Sequence, residues 1–277
     1  MRNPAENAQL ALLLEVSGTP KPGNVDRHRD YDDLRFEHFM AGAVGSLSGL
    51  RMAADGARVG RAFERAVAGM SDQSGGNTQF GALLMLTPLV RAAATARLSH
   101  TGTSDVVEAT TVADACDFYR AFDHVDVAVD DLPEDVDALD VRRGSDAVSA
   151  LREREVTLHD VMTQSADRDG VAAEWTSGFE RSFEAAEWLL DADGPIYKRA
   201  SRVFLRLLAD EEDTFILTRN GAAAAAEATE RAQSVLDGEE AAEALAEEFV
   251  ERDINPGTTA DLTAAALFVA LERGLVV

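Results

Sequence analysis

Four short segments place polar or charged side chains on a backbone that proline or glycine makes rigid or open, each beside a helix start or end. The first is Thr19-Pro20-Lys21-Pro22-Gly23-Asn24-Val25-Asp26-Arg27. Two prolines stiffen it and Gly23 allows a positive φ or a close backbone approach, so Lys21, Asn24, Asp26 and Arg27 project from a fixed turn. The second is Ser74-Gly75-Gly76-Asn77-Thr78, where a glycine pair opens a helix and can leave backbone N–H groups facing an anion. The third, Asn255-Pro256-Gly257-Thr258-Thr259-Ala260-Asp261, repeats the logic with a carboxylate in the first helical turn. The fourth is Asp213-Thr214 followed by Arg219, Asn220 and Gly221. Each has a plainer reading: a surface connection, a helix stop, a capped helix, an Asp213–Arg219 ion pair. Together they offer Asp26, Asp213 and Asp261 as oxygen ligands and two helix starts for phosphates. That is the inventory of a Mg²⁺-nucleotide site, in which few carboxylates and the phosphate oxygens share the metal.

Other chemistry is poorly represented. The chain has no GxxxxGK[ST], GxSxG, HExxH or paired CxxC motif. The histidines His28, His38, His100, His124 and His159 are dispersed, and Cys116 in a helical pattern reads as a small packed hydrophobe.

The elements that must carry these segments are helical. Asn3 caps a helix starting at Pro4 and running to about Val16, and residues 18–34 form a loop. Apolar stripes give a helix from Phe36 through Leu50 and one bearing Val59, Phe63, Val67 and Met70. A helix covers Thr78 to about Leu98, with Pro88 as a kink, and another runs from the Asp105–Glu108 capping pair to about His124. Val125–Val129 is a short strand, and 130–145 an acidic loop. Thr157 and Asp160 cap a helix through Met162, and a long helix spans Val171–Leu190. Helices follow at Ile196–Ala209, Gly221–Leu236, Glu239–Val250 and Thr259–Arg273. No repeat or flexible linker divides the chain, so residues 1–277 are expected to form one all-α domain, a multi-helix bundle.

Charge narrows the partners. Fifty Asp and Glu face 26 Lys and Arg, a formal charge of −24, and only Lys21 and Lys198 are lysines. Such a polyanion is repelled by nucleic acid and by anionic membranes. The carboxylates are spread along the whole length, the pattern of a surface adapted to a salt-saturated interior, where the Debye length falls to about 3 Å. No apolar run approaches the ~20 residues of a membrane span, and no signal-peptide pattern opens the chain. A cytoplasmic protein is expected.

In order along the chain, PKPGNVDR, GGNT-x-x-G, DT-x-x-x-x-R-x-G and NPG-x-x-AD resemble the motifs of the triphosphoribosyl-dephospho-CoA synthases, from Glu15 to about Phe268. The resemblance implies an all-helical fold and a ribosyl transfer. The ribose 2′-hydroxyl of 3′-dephospho-CoA attacks the anomeric carbon of ATP, adenine leaves, and the triphosphate stays on the transferred sugar. It implies ATP as substrate, Mg²⁺ as cofactor, and Glu15 or Asp26 as the catalytic carboxylate. Lys21, Gly23, Asn24 and Arg27 would contact the nucleotide, with Gly75, Gly76, Asn77, Thr78, Arg219, Asn255 and Gly257; Asp26, Asp213 and Asp261 would hold the metal. An N-glycosidic hydrolase and a non-catalytic nucleotide-binding protein on the same scaffold are the alternatives. The chain departs from the family pattern in two places. Gly76 runs directly into Asn77, and Gln79 and Phe80 stand where a His-Lys pair is usual; His28-Arg29-Asp30 replaces a Gly-Ala-His stretch.

Overall fold

The computed structural model describes residues 2–129 and 138–277. Among them there is no β-strand, only an isolated bridge between Asp26 and Arg29. The first helices are α1 (Pro4–Ser17), α2 (Phe36–Ala54), α3 (Val59–Met70), α4 (Phe80–Ala94), α5 (His100–Glu108) and α6 (Val112–Ala121). A 3-10 turn at Val141–Ala147 leads into α7 (Val148–Glu153), α8 (Leu158–Ser165), α9 (Gly170–Ser177) and α10 (Glu180–Asp191). The chain closes with α11 (Ile196–Asp210), α12 (Thr214–Asn220), α13 (Ala222–Leu236), α14 (Ala242–Glu251) and α15 (Gly257–Glu272). None of the described helices is long and apolar enough to cross a membrane.

Helix α15 is apolar all round and lies in the middle, against α1, α4, α10 and α11. These helices with α2, α3 and α6 enclose the main core, and Cys116 is buried in it. Helix α11 has two apolar faces. Ala200, Val203 and Leu207 join the main core. Phe204, Leu205 and Leu208 join a second cluster with Ile216, Ala228, Leu245 and Phe249 of α12–α14.

Several expected boundaries move, each for a local reason. Asn3 and Pro4 do start α1, through a capping box with Glu6. The helix expected from Thr78 begins at Phe80, because Asn77 turns its side-chain oxygen onto the Phe80 N–H. The single helix expected over 105–124 is two, since Thr111 and Asp114 make a capping box that starts α6. The strand expected at Val125–Val129 is irregular backbone; residues 130–137 of the acidic loop lie outside the described residues. The long helix expected over Val171–Leu190 breaks at Gly178 and Phe179, both left-handed. Buried Glu174 bridges that break by accepting from the Arg181 N–H (3.1 Å) and from the Ser182 N–H (2.9 Å) and hydroxyl. Its carboxylate thereby supplies the acceptor that the start of α10 lacks.

Candidate functional site

Residues 18–26 of the 18–34 loop are largely buried, whereas 27–34 run along the surface. Lys21 and Asp26 are completely enclosed, and the Ser201 hydroxyl of α11 donates to the Pro20 carbonyl at 2.6 Å. Gly23 holds φ +68° with Ile254 so close that a methyl group would fall 1.8 Å from its carbonyl oxygen. Tyr31 donates its hydroxyl to the Gly23 carbonyl at 2.6 Å. Fixed this way, Lys21 ion-pairs with Glu15 of α1 and donates to Asn24 Oδ1 at 2.8 Å. Asn24 in turn donates to Asn255 Oδ1 at 3.0 Å. The network ties together segments more than two hundred residues apart and ends at a cavity.

That cavity has a volume of about 480 Å³. The first turns of α4, α9, α12 and α15 all reach its wall, through Phe80 and Gly81, Val171 and Ala172, Thr214 and Phe215, and Gly257 and Thr258. Thr214 is the joint between three of them: its oxygen accepts from the Gly170 N–H at 3.0 Å and bonds the Thr258 hydroxyl at 3.0 Å. The lining combines polar side chains, Glu15, Asn24, Asn77, Asn255, Asp169 and Asp261, with apolar ones, among them Phe39, Phe118, Phe122, Val161 and Met162.

Two of the carboxylates here, Asp169 and Asp261, are held at helix starts, where the positive dipole end favours negative charge, whereas Glu15 lies in the last turn of α1. Asp169 is the N-cap of α9 and accepts from the Ala172 N–H at 2.9 Å. Asp261 lies beside the start of α4, where the Ala82 N–H favours its charged form. Gly81 makes that approach possible, since a Cβ there would meet Asp261 Oδ2 at 2.0 Å. Burial, followed by the charges of Glu15, Asp213 and Asp169, lifts the Asp261 carboxyl well above its ordinary value. Burial also raises Glu15, and Lys21 beside it pulls it partly back. Arg168 is the one cationic side chain among the described lining residues, half-buried next to Asp169.

The structure sorts the residues singled out in the sequence. Glu15, Asn24, Asn77, Thr78, Asn255, Gly257 and Asp261 line the cavity. Asp26 and Asp213 stand behind its wall, with their oxygens already taken. Asp26 accepts from the Thr19 hydroxyl (2.8 Å), the His28 N–H (2.8 Å), the Lys21 N–H (3.2 Å) and Arg29 (3.3 Å). Asp213 caps α12 at the Phe215 and Ile216 N–H groups (2.9 and 3.1 Å) and grips the Thr259 N–H and hydroxyl at the start of α15, both at 2.7 Å. The set Asp26, Asp213 and Asp261 is therefore not assembled around one ion, and no group of three such ligands occurs among the described residues. Arg27 points away, donating to the Ser17 carbonyl at 2.9 Å and lying over Tyr197. Arg219 pairs with Asp253 at 3.4 Å. Lys21 and Gly23 shape the wall from behind. The glycine pair is not an anion cradle: the Gly75 N–H is occupied by Gln73 Oε1 at 2.5 Å, and Gly76 opens to solvent. Sequence reasoning passed over Arg168, Asp169 and Gly81. The signal for the second was Asp169-Gly170 as a helix cap before Val171.

The profile of the ATP:dephospho-CoA triphosphoribosyl transferase family, CitG, matches residues 1–276. The chain belongs to this family. A crystal structure from Archaeoglobus fulgidus, provisionally assigned as a triphosphoribosyl-dephospho-CoA synthase, superposes with a TM-score of 0.71 at 25% identity. That likeness covers 87% of this chain and 99% of the other. No curated protein matches the sequence. Family membership makes the protein a transferase of the ATP-to-dephospho-CoA class, and the all-helical architecture agrees with the fold expected from periodicity.

Proposed function

We propose that the cavity bounded by Glu15, Asp169, Arg168 and Asp261 is where ATP and 3′-dephospho-CoA meet and the triphosphoribosyl group is transferred. The observation that carries this reading is the convergence of carboxylates and helix starts on one cavity in a chain of the transferase family. In the transfer, the 2′-hydroxyl oxygen of dephospho-CoA forms a bond to the anomeric carbon of the ATP ribose. The carbon–nitrogen bond to adenine breaks, and adenine leaves with the bonding pair and takes up a proton.

Glu15 is the base that takes the hydroxyl proton. Burial raises its carboxyl, which makes the ionised form a stronger acceptor, while Lys21 keeps that form populated. Asp261 sits in the space Gly81 leaves; its raised carboxyl favours the neutral acid, and a cation bound beside it would restore the negative charge that stabilises the oxocarbenium-like carbon. Arg168 meets the triphosphate. Asp261 and Asp169 fit a divalent cation as its few protein ligands, because like charges packed together at helix starts gain most from a cation between them. When bound there, Mg²⁺ supplies neutralisation of the phosphate charge.

The test is incubation with ATP and Mg²⁺, with and without dephospho-CoA, following adenine by chromatography. Adenine is expected only when the acceptor is present, and Glu15→Gln should abolish it in a folded protein. Adenine released equally without acceptor would make the site a hydrolase. No adenine under either condition would refute the transfer.

A further inference from the structure

Lys21 fixes more than Glu15. Its ammonium donates hydrogen bonds and cannot accept them. It is wholly enclosed, with Glu15 Oε1 and Asn24 Oδ1 as its partners and the Phe204 ring 5.7 Å away. The side of the Asn24 amide that faces the ammonium must therefore be the carbonyl oxygen. That choice turns Asn24 Nδ2 the other way, where it donates to Asn255 Oδ1 at 3.0 Å. Asn255 has then committed its acceptor to the wall, and its Nδ2 is the atom left to face outward. A buried cation thus dictates the polarity of two amides in series.

Both ends of this network open into the cavity, which Glu15 and Asn255 line. Glu15 Oε2 and Asn255 Nδ2 have no hydrogen-bond partner among the described residues, yet neither is sealed inside the protein. The site therefore offers a carboxylate acceptor and a neutral amide donor, joined behind the wall by Lys21 and Asn24. A phosphate would suit the amide but be repelled by the carboxylate. A pair of adjoining sugar hydroxyls suits both, because one can donate to the carboxylate while the oxygen of the other accepts from the amide.

We propose that Asn255 Nδ2 donates to the 3′-oxygen of the acceptor ribose and so holds the adjoining 2′-hydroxyl against Glu15 Oε2. This rests on the transfer reading, in which Glu15 takes the 2′ proton, and deepens it by naming the residue that selects and orients the attacking diol. Asn255 touches the substrate; Lys21 and Asn24 are positioning residues behind it.

Both substrates of the family carry a ribose, so the test has two arms. In one, the 3′-deoxy analogue of dephospho-CoA replaces the acceptor; in the other, 3′-deoxy-ATP replaces ATP. In the acceptor arm, wild type should lose about tenfold or more in kcat/KM, the effect of leaving a desolvated donor unpaired. Asn255→Ala should shrink that preference to within about threefold while leaving any preference in the ATP arm unchanged. Asn255→Asp keeps the oxygen that Asn24 Nδ2 needs but no longer donates, and it is read in the same way if the alanine variant does not fold. A merely structural Asn255 would slow both acceptors equally and leave the preference intact.

Wild type that uses the 3′-deoxy acceptor as well as the natural one overturns the proposal, whatever the variants do. So do variants that keep the full preference, and so does a loss of preference confined to the ATP arm. If wild type releases no adenine from ATP, the transfer reading fails separately. Equilibrium binding of dephospho-CoA against its 3′-deoxy analogue, in wild type and in Asn255→Ala, then still decides whether Asn255 reads that oxygen.

Discussion

Lys21→Met isolates the coupling between the buried ion pair and the reaction. Lys21 is wholly buried and Glu15 nearly so, so neither charge has water to fall back on. Removing the ammonium leaves a carboxylate whose burial penalty is no longer offset; breaking a buried pair in this way costs about 3–5 kcal/mol if the charge persists. Glu15 can evade part of that cost by holding its proton. Its folded carboxyl already sits above the ordinary value, and it rises further without Lys21. The sign is then fixed. The folded state binds the proton more tightly than the unfolded chain, so its stability falls as pH rises between the unfolded and folded values. The variant should lag wild type only modestly near pH 5 and progressively more toward pH 8. The gap grows by at most about 1.4 kcal/mol per pH unit until Glu15 ionises. Loss of the Lys21–Asn24 bond adds a pH-independent term of about 1–2 kcal/mol. At about 2–4 °C per kcal/mol for a chain approaching this size, melts at pH 5.5 and 8 separate the two contributions. The acid limb of the adenine-release profile should move to higher pH along with the stability. A melting difference independent of pH, or an acid limb that does not move, would refute the assignment of Glu15 as the tuned base.

Gly81→Ala should help α4 by about 1 kcal/mol on propensity alone, yet its methyl would overlap Asp261 Oδ2. Activity should fall by at least about tenfold in a protein whose circular dichroism is unchanged, and normal turnover would remove Asp261 from the reaction. Arg168→Gln should raise the KM for ATP by about 10- to 100-fold, the worth of a charge-assisted contact. An unchanged KM would place the phosphates elsewhere. With 50 acidic against 26 basic residues, the melting temperature should climb substantially from low salt to molar KCl as self-repulsion is screened; a flat or falling curve would sink the salt-adaptation reading.

Local capping chemistry made the outer frame legible. Asn3-Pro4 and Thr157/Asp160 start their helices where the sequence implies, because a cap involves only residues three apart. The interruptions were harder to see. Phe179 is a non-glycine residue in a left-handed conformation, a state no propensity favours. It is held there because its side chain is buried and because Glu174 caps the next helix. In the 105–124 stretch, Asp105 and Glu108 suggest a cap by spacing, but Asp105 pairs with Arg97 and the working box is Thr111/Asp114. Spacing alone does not tell a capping acid from a paired one.

The same limit governs the site. A motif identifies a carboxylate but not whether its lone pairs are spoken for. Asp213 loses its oxygens partly to groups two and three residues ahead, which sequence can suggest, and partly to Thr259, 46 residues away, which only folding supplies. It sets the angle between α12 and α15 and so fixes where Asp261, two residues beyond Thr259, faces the cavity. Asp26 does the equivalent for the loop that carries Lys21 to Glu15. The motifs thus contain two kinds of acid, one that meets the substrate space and one that builds its wall. The number of donors makes the division physical. Burial lifts Asp213 too, but its oxygens are taken by four protein donors and gain little from a metal ion, whereas a carboxylate lifted by burial and neighbouring charges with few donors gains a great deal. Asp261 is of the second kind, lifted by burial and by the charges of Glu15, Asp213 and Asp169, and this is the ground on which we propose it, with Asp169, as the place for a cation-bearing polyphosphate.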